Sequence, residues 1–571
     1  MKSIKTLVLS AIIALGFASC KSTQVVVSKP VFEEIITIPV KKGSLSKEEL
    51  QIWSHLDIVK DSIAGMSLEK AYQFLERKKS VPVIVAIADS GVDIEHEDLK
   101  DVLWVNTDEI KGNHKDDDNN GYVDDVFGWN FLGNAKGDIV TTDQLEITRI
   151  VKNGRAKFSD KKASEIVEKD KDAYQQYLKL EEEYRATLVE KKGEVYQMDD
   201  YLKTLETIQD AFNVVKKIAK KDTLTLEIID KIDAPSLQAL MKVNQVANIL
   251  KQGMNEFTLK EEKDKVFTYV TELKKAMTGY DLEMNYRQSL GDDLYDITDK
   301  YYGNNNMLGT ADAGKHGTHV AGIIAANRTN NLGAIGVANN VKIMTVRIVS
   351  EADEHDKDVA LGIKYAVDNG AKIINTSFGK RFSPNKEWVY DALKYAAEND
   401  VLIVNAAGND GKNIDERETY PTDSKDFVTE FVDNVITIGA SSLHYDEQLP
   451  ANFSNYGKLN VDVFAPGVDI YSSTPKDNYE ALSGTSMAAP STAGVAALIR
   501  GYYPNLSAKE VKSILMNSGV KINFDVIQPG SQSQDNPEGE MIPFSNLSVS
   551  GRIVNAYNAL QLADYLSNKK Q

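Results

Sequence analysis

Ser486 stands in the run GTSMAAP, Gly484 to Pro490, where small residues open an expected helix and leave one hydroxyl free to attack. A serine hydroxyl is a weak nucleophile at neutral pH. It does chemistry only beside a base, a carboxylate that orients the base, and donors for a developing oxyanion. The chain holds a candidate for each: Asp89 follows the apolar run VIVAIA, His316 opens HGTHVAG, and Asn409 closes AAGN. Singly, each has an ordinary structural role open to it, as strand-end cap, core histidine, turn residue or helix cap. Jointly they point to acyl transfer.

Such residues need a rigid frame. Val83 to Ala88 is short, apolar and β-branched, as a buried parallel strand is, and its carboxylate lies at the carboxyl end, where α/β sheets carry their sites. Val341 to Ile348, Lys372 to Asn375, Val401 to Asn405 and Val435 to Ile438 repeat the strand pattern. Helical stretches over Asp358 to Val367 and Lys386 to Glu398, and an apolar helix from His316, lie among them. The alternation predicts an α/β fold, three-layered, with a mainly parallel sheet covered on both faces. A further helix is expected near Ser67 to Lys79, ahead of the first strand. From about Lys136 to Asn305 the material differs, being rich in Lys and Glu with helical periodicity. Leu202, Leu205, Ile208, Phe212, Val215 and Ile218 recur at spacings of three and four, which predicts a helical hairpin or small bundle packed on its own chain.

The 571 residues, 42% hydrophobic and 26% charged, have the composition of a globular protein. A net charge of −18 and a pI near 5.0 oppose binding to phosphate backbones, so no nucleic-acid partner is expected. Lys2 and Lys5 precede the apolar stretch Leu7 to Phe17, followed by Ala18, Ser19 and Cys20, which reads as an export signal too short to span a membrane. Cys20 is the one cysteine, so no intramolecular disulfide is possible. Its place resembles a bacterial lipobox, implying lipidation at Cys20 and attachment to a membrane of the cell envelope; an ordinary cleavable signal is the alternative. The expected organisation is a signal peptide over 1–20, a lead-in over 21–80, a catalytic domain over 81–135 and 306–571, and a helical insertion over 136–305.

Four motifs, IADSGVDIEHEDL, HGTHVAG, AAGN and GTSMAAP, resemble those of the subtilisin-like serine proteases, the subtilases, in the family's order Asp, His, Ser. The resemblance implies a subtilisin-like sheet and a serine endopeptidase acting on proteins or peptides through an acyl-enzyme. Ser486 would attack the carbonyl, His316 would take and return the proton, and Asp89 would hold the imidazole. Asn409 would donate to the oxyanion beside the Ser486 backbone N–H. Ser377, Phe378 and Gly379 match the edge segment that pairs with an extended substrate, and Ala406, Ala407 and Gly408 the wall of the primary specificity pocket. The acidic loop Asp410 to Pro421 beside it motivates a preference for basic residues. His319, one helical turn beyond His316, would be a packing residue.

DDDNNGYVDD, Asp116 to Asp125, places hard oxygen ligands at alternate positions with glycine at the sixth, the arrangement Ca²⁺ prefers. Asp116, Asp118, Asn120, Tyr122 and Asp125 are the candidate ligands of a structural Ca²⁺, an Asx-rich turn being the alternative reading. No organic cofactor is expected. The excursion between Asp89 and His316 is longer than in plain family members, and the expectation is that it restricts access to loops and peptides. The space after Cys20 is expected to be too short for the family's usual inhibitory prodomain, and no appended domain is expected after the core. A catalytically silent, peptide-binding or scaffolding lipoprotein on the same fold is the competing function.

Overall fold

Alternate side chains of β1 (Val83–Asp89) point into two different cores. In the computed structural model, which describes residues 29, 30, 32 and 45–570, Val85 and Ile87 join one buried cluster while Ala86 and Ala88 join another. That is the period-two geometry of a strand covered on both faces. The sheet continues with β2 (Gly128–Asn130), β3 (Val341–Arg347), β4 (Ile373–Thr376), β5 (Leu402–Ala406), β6 (Val435–Ser441) and β7 (Val463–Pro466). With the short strands Val520–Lys521 and Arg552–Ile553 it has nine strands among the described residues, and β7-β6-β5-β4-β1-β3-β2 are all parallel. Only Val520–Lys521 runs antiparallel, against Arg552–Ile553. Each of the five strands expected from the apolar runs is present, four of them displaced by one residue at one or both ends and the last extended from Ile438 to Ser441.

Helices cover both faces, as the alternation of strand and helix predicts. α1 (Leu68–Leu75) precedes β1, and the carboxyl-terminal α11 (Ala556–Lys570) packs near it in one cluster with α6 (Lys315–Ala325), α9 (Thr485–Tyr502) and α10 (Ala508–Ser518). α7 (Asp356–Asp368) and α8 (Lys386–Glu398) cover the opposite face. β1 pairs with β3 and β4 in a register that sets Asp89 beside Arg347 and Ala88 beside Thr376. The ends of β1, β4 and β5 therefore open on one edge, where α/β sheets hold ligands.

Between β2 and α6 the chain leaves the sheet. α2 (Glu146–Phe158), the 49-residue α3 (Lys171–Ala219), α4 (Leu237–Lys251) and α5 (Glu256–Met277) form a helical region, and α3 alone is roughly 70 Å long. Leu205, Ile208, Phe212 and Val215 of α3 are buried against Val243 and Val246 of α4 and Leu259, Val266 and Val270 of α5, with Leu202 partly buried beside them. The stripe thus packs on its own chain, as its spacing predicts. The helical pattern expected as far as Asn305 instead stops at Met277, and the segment from Asp281 to Gly314 is turns and loops. Asp293 and Asp296 there accept from the backbone N–H of Tyr295 and Thr298 at 2.9 and 2.8 Å, the local bonding by which Asp side chains displace helix.

Buried ion pairs join the helical region to the sheet domain. Arg287 meets Asp358 of α7 at 2.5 Å and Asp292 at 3.0 Å, and Lys357 meets Asp292 at 3.1 Å. Glu146 of α2 pairs with Arg149 at 2.6 Å and with Lys380 at 2.7 Å, and Lys380 also reaches Asp356 at 2.8 Å. Among the described residues no helix is long and apolar enough to cross a membrane.

Candidate active site

Asp89 sits at the last residue of β1, 1% exposed. Its Oδ1 accepts from the Ser90 N–H at 2.7 Å and lies 2.8 Å from Nδ1 of His316. Arg347, fully buried at the end of β3, braces the turn by donating from Nε to the Ser90 carbonyl at 2.8 Å and from Nη1 to Asn130 at 2.9 Å. Burial pulls its guanidinium down to about 10. No motif singles out Arg347, because its role depends on strand register.

His316 occupies the first turn of α6, and the next residue must be glycine. A Cβ on Gly317 would lie 2.2 Å from the Gly91 carbonyl and 3.1 Å from Asp89 Oδ1. The helix can come close enough for the 2.8 Å contact only because nothing projects there. Burial opposes the charged imidazole, but the Asp89 carboxylate and its hydrogen bond outweigh it and hold His316 above the usual histidine range. His319 differs: it is fully buried, with Nε2 3.1 Å from the Glu480 carbonyl, and burial drives it down to about 3. It remains neutral and fills space.

Ser486 is the second residue of α9, where unsatisfied N–H groups and the helix dipole favour negative charge. Its Oγ donates to the Ser377 carbonyl at 3.1 Å, while Ser377 Oγ donates to the Ser486 carbonyl at 2.9 Å. This reciprocal pair fixes the helix start against the end of β4. Asn409 is exposed, and its Oδ1 accepts from both the N–H and the hydroxyl of Thr485 at 2.9 Å. Those two bonds orient the side chain and leave the Nδ2 amide as its available donor. Gly408, at φ +99°, donates to Thr485 Oγ1 at 3.0 Å. Asn455 secures the same loop, donating to the Ala407 carbonyl at 2.9 Å and accepting from Asp410 and Lys412 N–H at 3.1 and 3.0 Å. Asn455 carries no sequence signal of its own.

Two contacts stand at this edge of the sheet, Asp89 with His316 and Ser377 with Ser486, on strands whose register aligns Ala88 with Thr376, and Asn409 shares a cavity with Ser486. Ser377, Phe378 and Gly379 continue beyond β4 along one side, and Ala406 to Gly408 leave β5 on the other. A cavity of about 620 Å³ runs from Ser486 and Asn409 past Gly379 to Leu145, Ile147, Glu183 and Tyr280 of the helical region. Arg417, Glu418 and Asp410 of the loop expected to favour basic substrates line it together, so that loop presents both signs of charge.

The acidic loop is arranged differently from its spacing. Carboxylate oxygens of Asp118, Asp125 and Glu109 lie within 4.8 Å of one another, a group able to hold a metal ion. Asp116 instead accepts from the Asn120 and Gly121 N–H at 3.0 and 2.8 Å, and the Tyr122 ring stacks edgewise on Tyr365 and Trp129. Asn106 and Asn120 donate from Nδ2 to Asp125 at 2.9 and 3.1 Å, and either amide presents its oxygen after a half-turn. Burial pushes Asp125 up to about 6, against hydrogen bonds from Tyr365, Asn106 and Asn120. Glu109 and Asn106 were missed because they precede the Asp-rich run. Cys20 and the signal segment lie outside the described residues.

The model of the subtilase family, Peptidase_S8, matches residues 81–540. The chain is 36% identical over 248 residues to the cell wall-associated protease of Bacillus subtilis, covering 43% of this chain and 26% of that protein. It is 35% identical over 213 residues to subtilisin DY of Bacillus licheniformis, covering 37% of this chain and 72% of that protein. With thermitase of Thermoactinomyces vulgaris it shares 36% identity over 209 residues, 36% of this chain and 68% of thermitase. The chain thus spans about a quarter of the length of the first of these and roughly two thirds or more of the other two.

Proposed function

The chain belongs to the subtilase family, and we propose that it is a serine endopeptidase that hydrolyses peptide bonds in proteins through an acyl-enzyme on Ser486. The observation that carries this is the 2.8 Å contact between His316 and Asp89, made across 227 positions of sequence, with Ser486 and Asn409 facing the same cleft. In the reaction His316 Nε2 takes the Ser486 proton as Oγ attacks the carbonyl carbon. The proton then goes to the leaving amine, which departs with its electron pair, and a water repeats the sequence to release the acid. Asp89 keeps the imidazole in the required tautomer and stabilises the imidazolium. Ser486 must turn from the Ser377 carbonyl toward His316, a rotation about one side-chain bond of the kind that tightens catalytic contacts when substrate binds. Asn409 Nδ2 and the Ser486 N–H receive the oxyanion, while Ser377 to Gly379 and Ala406 to Gly408 flank the acyl side of an extended peptide.

Labelling with a fluorophosphonate tests this reading. The unmodified chain is expected to label and its Ser486→Ala and His316→Ala variants to remain unlabelled. A folded chain that fails to label would instead support the silent, peptide-binding scaffold.

Three further parts of the reading rest on separate observations. The group of Glu109, Asp118 and Asp125 fits a structural Ca²⁺, because hard carboxylates converge with amides able to offer oxygens. The ion would supply charge neutralisation and a stiffer loop, and takes no part in the reaction. The lipobox-like position of Cys20 supports a lipid-anchored protein of the bacterial envelope; mass spectrometry of the amino-terminal peptide from the native source, carrying no acyl chain on Cys20, would overturn it. The helical region forms part of the cleft wall, which supports restriction to flexible segments. Equal cleavage rates for native and unfolded forms of one protein substrate would overturn that.

A further inference from the structure

β3 and β4 flank β1, so the segments that follow them leave the sheet about 10 Å apart, two strand spacings. Asp353 and Glu354 of the first segment, and Gly379 and Lys380 of the second, line the cavity that holds Ser486 and Asn409. The width left for a peptide there is the distance at which the two segments are held. That distance is set by the first turn of α2. The Glu146 N–H donates to Asp353 Oδ2 at 2.7 Å, and Arg149 donates from Nη1 to the Asp353 carbonyl at 3.0 Å and from Nη2 to the Glu354 carbonyl at 3.1 Å. Glu146 Oε2 accepts from Arg149 Nη2 at 2.6 Å and from Lys380 Nζ at 2.7 Å, which ties the second segment to the first. Lys380 Nζ also donates to the Glu354 carbonyl at 2.7 Å and meets Asp356 at 2.8 Å, while its backbone pairs with Tyr420 at 3.0 and 2.8 Å. Glu146, Glu354, Asp356 and Lys380 are all buried. Burial opposes the charge on Glu146, but Arg149 and Lys380 outweigh it and hold its carboxyl down at about 2, so these pairs are ionised at neutral pH. Glu146 and Arg149 do not line the cavity and act from behind its walls.

Resting on the peptidase reading, we propose that Glu146 and Arg149 are positioning residues of the reaction: from the helical region they clamp the segments after β3 and β4 at the spacing that grips a peptide beside Ser486. The helical region is then a working part of the catalytic unit as well as a wall around it. Without the clamp the two segments part, and a substrate misplaced by about 1 Å reacts up to about 10²-fold more slowly. A small reagent that touches only Ser486 and its neighbours has no need of the walls and is indifferent to their spacing.

Fluorescein-labelled casein and a small fluorophosphonate, used side by side, test the clamp. Glu146→Gln and Arg149→Lys are each expected to lower kcat/KM on casein about tenfold or more, through KM, while the second-order rate of fluorophosphonate labelling stays within about twofold. Glu146→Gln added to Lys380→Met should cost no more on casein than Lys380→Met alone, because both break one contact. Equal losses in casein cleavage and in labelling overturn the proposal, since they report a disturbed fold or catalytic group. Casein cleavage unchanged in both single variants overturns it as well. In a Ser486→Ala background the same two substitutions are expected to weaken casein binding, read by anisotropy, about tenfold. That arm separates the two readings. An unmodified chain that neither labels nor cleaves casein overturns the peptidase assignment, whereas weakened binding in the Ser486→Ala background retains the clamp and undiminished binding overturns it.

Discussion

Around Asp89 the chain is held by backbone. Parallel strands fix β1 against β3 and β4, Gly317 permits a close helix approach, and reciprocal serine–carbonyl bonds fix α9 against the end of β4. Around Glu183 and Tyr280 the chain is held by side chains. An apolar cluster and buried ion pairs, Glu146 with Lys380 and Arg287 with Asp358, fasten helices that pair with no strand of the sheet. The contrast matches the demands on each region. Proton transfer tolerates displacements of only a few tenths of an ångström, and of the groups proposed for it Asp89 stands on the sheet while His316 and Ser486 open helices packed against it. The helical wall of the cleft carries none of those groups, and its helices are seated by charge pairs and apolar contacts.

The comparison can be broken most forcefully at Asp89. Asp89→Asn is expected to lower kcat about 10⁴-fold with the fold intact, measured by hydrolysis of a peptide amide and by circular dichroism. The same variant sharpens the electrostatic argument. His316 must be neutral to act as base and is held above its usual 6.5 by Asp89, so kcat/KM of the unmodified chain falls as pH drops through a value above 6.5. Without that carboxylate only burial acts on the ring, and the acid limb of the pH profile moves to lower pH.

At the seam, Lys380→Met leaves Glu146 and Asp356 without their ammonium partner. Denaturant unfolding should record a loss of about 3–5 kcal/mol, the range for breaking a buried pair. No measurable loss would mean that the Lys380 pairs do not seat the helical region, leaving that role to its apolar contacts and to the Arg287–Asp358 pair. Asn409→Ala is expected to lower kcat about 10²–10³-fold with little change in KM, because its amide acts only on the oxyanion. The smallest effect belongs to the acidic loop. Removing Ca²⁺ with a chelator should lower the melting temperature by an amount equivalent to about 2.7 kcal/mol at a hundredfold excess of ion over its Kd. An unchanged melt would leave the loop an Asx-capped turn.

Much of the sheet domain was legible in advance because its signals are local. VIVAIA is a short β-branched apolar run bounded as a buried strand is, and GTSMAAP sets a serine among small residues at a helix start. The end of the helical pattern was not legible, since Asp293 and Asp296 compete with helix only through bonds to particular N–H groups. Nor was the ligand group of the acidic loop. Spacing nominated Asp116, whereas the carboxylate that lies with Asp118 and Asp125 is Glu109, which comes from outside the run. Arg347 and Asn455 had no motif because each serves carbonyls that folding alone brings near.

Residue order by itself therefore determined the family and the α/β alternation, and it nominated the nucleophile, base, carboxylate and oxyanion donor of the proposed reaction. Those properties depend on residue type and on patterns a few positions long. Tertiary structure decided which distant groups share space: the 2.8 Å meeting of His316 and Asp89, the trio of Glu109, Asp118 and Asp125, and the closure of the cleft by Leu145, Ile147 and Tyr280. Contacts of that kind are set by strand register and by where a long helical excursion returns, and neither is encoded in the spacing of the residues that finally touch.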